Sequence, residues 1–117
     1  MFDSQKAGSV FHLKDQVQYE KDKAVKQVYI DQNGVRMLLV AIDHSLLPDH
    51  PAPADALVMV LEGSGEITYN NTVAKVKEHD FFKFDKGVIH SVKADKLKFA
   101  LLFAGWMIRS ILMTAGT

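Results

Sequence analysis

Short apolar segments rich in β-branched side chains, separated by turn residues at nearly regular intervals, constrain this chain more than any other feature. Residues 24–31 (Ala-Val-Lys-Gln-Val-Tyr-Ile-Asp) and 35–43 (Val-Arg-Met-Leu-Leu-Val-Ala-Ile-Asp) flank Gln32-Asn33-Gly34, which reads as a hairpin. Residues 55–62 form another apolar segment, closed by Glu62-Gly63-Ser64-Gly65, which reads as a tight β-turn. Residues 66–69 and 72–77 flank Asn70-Asn71, and asparagine tolerates the positive φ that a two-residue turn demands. Residues 81–84, 88–93 and 97–103 bring the total to about eight short strands. The pattern points to an all-β barrel or sandwich.

Helical signal is confined to the ends. Leu13 and Val17 stand one helical turn apart, which predicts a short N-terminal turn. In the tail, Ala104, Met107, Ile108, Ile111, Leu112 and Ala115 recur at helical spacing, although a strand continuation would use the same residues.

The 117 residues fit one domain, and 48% apolar content supplies a core. The absence of cysteine excludes a disulfide scaffold, a thiolate metal site and a cysteine nucleophile. Fourteen basic against fourteen acidic side chains argue against nucleic-acid binding. The N-terminus shows no secretory signal, and residues 99–113, though mostly apolar, contain Arg109 and are too short to span a membrane. A cytoplasmic protein without membrane contact is expected. The apolar stretch 99–113 is expected to serve as a homodimer interface.

The histidines His12, His44, His50, His79 and His90 are the candidates for chemistry near neutral pH or for nitrogen ligation. No HExxH, His-x-His or Gly-x-Ser-x-Gly pattern is present. Two segments of the chain contain four of the five. His44, five residues, His50, one, Ala52, three, Ala56, six, Gly63 form one frame. His79, five, Asp85, one, Gly87, two, His90, three, Ala94 form a second, fifteen residues later.

These frames resemble the two sequence motifs of the cupins. Of ten motif positions, His50, Gly63, Gly87 and His90 keep the family residue, and the resemblance covers roughly residues 24–103. It implies a single-domain double-stranded β-helix, or jelly-roll barrel, over residues 1–117. Residues 50–58, His-x-x-Pro-x-Asp-Ala-Leu-Val, look like a group of small single-domain cupins that form compact dimers and whose role is mostly unassigned. In metal-bearing cupins the ligands fall at His50, Ala52, Ala56 and His90, so two of the four are methyl groups here. His44 and His79 occupy positions where the family prefers glycine, and they read as turn residues.

Strand alternation sends Ala56, Val58 and Val60 inward, with His50 and Ala52 sharing that interior. His90, Phe82 and Phe84 are expected nearby. Asp55 alternates away from Ala56, and Asp49 away from His50. Two readings stay open: an apolar pocket for a small molecule with two imidazoles as its polar features, or a barrel filled by its own side chains. Three functions follow. One is a small-molecule binding protein without an intact metal site. Another is an enzyme of dioxygenase or isomerase type that holds iron, manganese, nickel or zinc on His50 and His90, or uses one histidine as a metal-free general base. The last is a structural or regulatory dimer.

Overall fold

The computed structural model describes residues 2–104. Among them, a single 3-10 turn at Leu13–Gln16 precedes six strands. These are β1 (Ala24–Gln32), β2 (Val35–Pro51), β3 (Ala56–Tyr69), β4 (Thr72–Lys77), β5 (Phe81–Phe84) and β6 (Ile89–Ala104). The order is β1-β2-β6-β3-β4, with β5 beside β3, and every pairing is antiparallel. The fold is all-β, as the segment pattern requires.

Both two-residue turns form as expected. Asn33 and Gly34 carry φ of 54° and 78°, and Asn70 and Asn71 carry 49° and 65°. Paired positive φ gives the twist that joins two adjacent antiparallel strands.

The strands are fewer and longer than the sequence predicts. Residues 35–43 continue into the proline-bearing stretch as β2, while 55–62 joins 66–69 within β3 and 88–93 joins 97–103 within β6. What separates the halves is a bulge rather than a turn. Register shifts fall between Leu47 and His50 in β2, and at Val60/Glu62 and Ser64/Glu66 in β3. The Gly63-Ser64-Gly65 stretch, expected as a tight β-turn, is therefore a bend inside one strand. Gly63 has φ +80°, and a Cβ there would lie 2.1 Å from the Lys96 carbonyl oxygen of β6. Only glycine lets the two backbones meet at this bend.

How far β3 curls can be read from its ends. Ala56 pairs with Phe84, and Tyr69 stands thirteen residues further along the strand. A straight strand would separate them by roughly 43 Å. Yet the rings of Tyr69 and Phe84 stack with centroids 6.0 Å apart. The sheet folds over on itself and encloses a core.

Two apolar clusters result. The concave side holds Val40, Ile42, Ala56, Val58, Phe84, Phe99 and Phe103, all buried. The convex side holds Leu39, Ala41 and Ala100 beneath Val17 from the N-terminal segment, with Leu13 and Tyr19 packed against them. Lys98 is buried on this side and donates to the Lys14 carbonyl at 2.7 Å, with its ammonium 4.9 Å from the centre of the Tyr19 ring. Tyr19 in turn donates to Glu62 at 2.8 Å, and its phenol is pushed well above its ordinary pKa, by burial first and then by that carboxylate. Asp43, also buried, accepts from His44 at 2.6 Å and pairs with Lys96 at 3.3 Å. The contact with His44, followed by that with Lys96, holds its carboxyl below the usual carboxylate range.

The described part of the apolar stretch 99–113 lies on β6, where Leu101 and Leu102 are half-buried. Phe99, Ala100 and Phe103 are buried on β6 between β2 and β3. The rest of that stretch, and the helical stripe expected after Ala104, lie outside the described residues. No helix among the described residues is long and apolar enough to cross a membrane.

A last feature of β2 concerns its free side. Pairing with β1 ends at Ile42, so residues 44–51 carry β6 on one side and no strand on the other among the described residues. Pro48 and Pro51 lie in this edge portion, the part of a sheet to which proline is ordinarily confined.

Candidate functional site

His50 on β2 and His90 on β6 are direct cross-strand partners, and Tyr69 on β3 is the partner of His90 on its other side. Directly opposed residues share a face, so the three side chains form a row across the concave surface. The imidazoles meet edge to face with centroids 5.9 Å apart. Phe84 comes from the opposite wall and stacks on His90 at 3.9 Å, its plane 17° from the imidazole. Phe82 completes the group, edge-on to both Tyr69 and Phe84.

His90 is held at one nitrogen. Its Nδ1 lies 3.2 Å from the Val88 carbonyl, which can only accept, so Nδ1 carries the proton and Nε2 keeps its lone pair. Burial pushes the imidazole below its ordinary pKa against the opposing pull of that carbonyl, and the charges of His50 and Lys26 lower it further. The loop that carries Val88 is pinned to the first motif frame. The N–H of Gly87 donates to the Ala52 carbonyl at 2.8 Å, that of Lys86 to the Asp55 carboxylate at 2.9 Å, and that of Asp85 to the Tyr69 hydroxyl at 3.1 Å.

Beside the imidazoles lies a cavity of about 390 Å³ bordered by His50, Ala52, Phe84 and His90. Of the residues expected around it, Ala56, Val58 and Phe82 do not border it. Ala56 and Val58 are buried in the adjoining core, with Phe82 packed against them. Ala56 sits between Phe84 and Phe103 in register, which leaves no free space at its methyl. The barrel is filled around Ala56 and hollow beside His50.

The remaining wall was not foreseen. Leu38, Val40, Leu101 and Phe103 supply its apolar surface, and Lys26, Arg36 and Asp49 its charge. The cue for Lys26 is parity. Ala24 packs on the concave core while Val25 and Tyr29 pack on the convex one, which puts Lys26 on the concave face with Val28. Asp49 was expected to alternate away from His50, but the bulge between Leu47 and His50 breaks the alternation and both border the cavity. Asp55 is exposed and Ala56 buried, as alternation requires.

His79 sits in a turn with φ of 76°, as expected, whereas His44, with φ of 46°, lies inside β2 rather than in a turn; both are exposed. His12 is likewise exposed. A larger trough of about 1100 Å³ near His44 and the Gly63–Gly65 bend mixes Lys93 and Lys96 with Glu66 and Asp95. Two of its four lysines are paired, Lys93 with Glu66 and Lys96 with Asp43, and of the five histidines only His44 borders it.

A divalent cofactor ion can be tested against these side chains. Among the described residues no group of three or more His, Asp or Glu side chains is arranged to hold a metal. His50 and His90 offer two nitrogens, Ala52 and Ala56 offer methyls, and a catalytic ion ordinarily takes at least three protein ligands. The donor set does not fit.

No protein-family model matches the sequence, and no curated protein does. Solved structures do. A cupin-superfamily protein from Desulfitobacterium hafniense superposes with a TM-score of 0.80 over 89% of this chain and 97% of its own, at 13% identity. A conserved protein of unknown function from Streptococcus pyogenes gives 0.78 over 88% of this chain and 92% of its own, at 21% identity. A cupin 2 conserved barrel domain protein from Leptotrichia buccalis gives 0.74 at 26% identity, over 80% of this chain and 47% of that one. The fold is therefore that of a small cupin, the double-stranded β-helix that the two motif frames implied.

Proposed function

We propose that this chain binds a small molecule in the cavity beside His50 and His90, without a resident metal ion. The observation that carries the reading is the hollow itself, an apolar chamber at the low end of the ligand-pocket size range with few polar groups on its wall. A barrel that served only as scaffold would gain by filling this space with side chains, as it does around Ala56. Ligand-observed NMR with an uncharged aromatic and aliphatic fragment set tests the proposal. Binding that is lost when Ala52→Leu narrows the chamber supports it; no binding by any fragment overturns it.

A second reading has its own observation. The Nε2 of His90 keeps a lone pair, and its ring is anchored at Nδ1 by the Val88 carbonyl. That arrangement suits a general base acting without a metal.

A further inference from the structure

The charges on the cavity wall say more about the ligand than its volume does. Lys26 points from β1 to the concave face of the sheet, at a position whose cross-strand partner, Val40, is part of the buried core. Binary patterning would place an apolar side chain there. Arg36 follows on the same face of β2, two and four residues before Leu38 and Val40, and all three border the same cavity. Asp49 is the one carboxylate among the lining residues. Apart from the two imidazoles, the charged side chains on the wall are Lys26, Arg36 and Asp49.

Lys26 makes no ion pair with any described residue. An exposed ammonium bordering an apolar cavity can pair with an anion whose remainder lies against the apolar wall. Beyond it, Leu38, Leu101 and Phe103 offer an apolar surface to whatever the anion carries. The single ammonium of Lys26 matches a monoanion better than a phosphate dianion.

We infer that the cavity selects small monocarboxylic acids with an apolar aliphatic or aromatic body, the carboxylate at Lys26 on the Arg36 side and the body against Leu38, Leu101 and Phe103. This rests on the pocket reading above and adds the ligand class. Lys26 acts here as a specificity residue.

Titration calorimetry on the full chain tests it with phenylacetate, 3-phenylpropionate and 4-methylpentanoate, each beside its neutral amide. The acids are expected to bind about tenfold or more tightly than the amides. Lys26→Met should reduce that preference to within about twofold, and Lys26→Arg should keep it. Lys26 is exposed and packs no core, so the variants should melt with the wild type in the absence of ligand. Amides that bind as well as acids overturn the carboxylate class and leave the pocket reading standing. An acid preference that survives Lys26→Met overturns the role of Lys26. Failure of every acid and amide to bind overturns the inference and the pocket reading together.

Discussion

The ring of Phe84 lies on the imidazole of His90 with centroids 3.9 Å apart, and this contact joins the two walls of the barrel across its interior. It also borders the cavity and covers one face of the half-buried His90 ring. Phe84→Ala should therefore act twice. Truncating a buried phenylalanine costs about 3–5 kcal/mol, read by urea denaturation. The same change should raise the pKa of His90 toward its ordinary value, read by NMR titration. Phe84→Leu, which keeps more of the packing, allows the second measurement if the alanine variant is too unstable.

Stability should fall on acidification in two separate windows. His90 is held below its ordinary pKa, so the unfolded chain takes up the proton first, near pH 6.5. The contribution of His90 is complete above that pH and is lost as pH falls through the folded-state value. Asp43, also held low, contributes fully above about pH 4 and loses its contribution only in stronger acid. His90→Gln should flatten the upper slope and Asp43→Asn the lower one in urea melts taken across pH. A single slope insensitive to both variants would contradict the assignment.

Gly63 and Gly87 share nearly the same φ, +80° and +81°, but not the same surroundings. A Cβ at Gly87 meets nothing within 4 Å, so Gly87→Ala should cost only the left-handed strain, about 1–2 kcal/mol. Gly63→Ala adds a collision with the Lys96 carbonyl and should cost roughly 3 kcal/mol or more. Chemical denaturation of the two variants side by side gives the difference directly.

Lys98 fastens the N-terminal segment to the convex face through the Lys14 carbonyl and the Tyr19 ring. Lys98→Met keeps much of the stem packing and removes the ammonium. The expected result is earlier proteolytic cleavage within residues 2–20, with little change in the cleavage of β2 or β3.

Wild-type protein purified without chelator should carry far less than one equivalent of iron, manganese, nickel or zinc by elemental analysis. Restoring the two missing donor types, Ala52→His with Ala56→Glu, should raise the metal content toward one equivalent once Phe84→Ala gives the glutamate room. A wild type loaded with metal would overturn the metal-free reading.

The turns at Asn33-Gly34 and Asn70-Asn71 were legible because a two-residue hairpin is a local event whose φ demands pick out its residues. The bend at Gly63 was not. A glycine with positive φ serves a turn and a bulge equally well, and the difference lies in Lys96, thirty-three residues away. The same holds for the site. His50 and His90 could be found from the resemblance of the two frames to the cupin motifs, and register shows them to be direct cross-strand partners. Lys26 and Arg36 are ordinary strand residues until register shows which face they share with Val40. Asp49 was misplaced because alternation fails at a bulge, and the prolines around it hide where the bulge falls.

The proline cluster has a consequence for how many molecules can coexist in solution. From His44 onward β2 offers an open edge, and an open edge invites a strand from a neighbouring copy. Pro48 and Pro51 have no backbone N–H to offer a ladder, and Asp49 puts a charge between them. An incoming strand would find no continuous ladder to extend. The residues that interrupt the sequence most conspicuously thus guard the molecule against unlimited edge-to-edge growth.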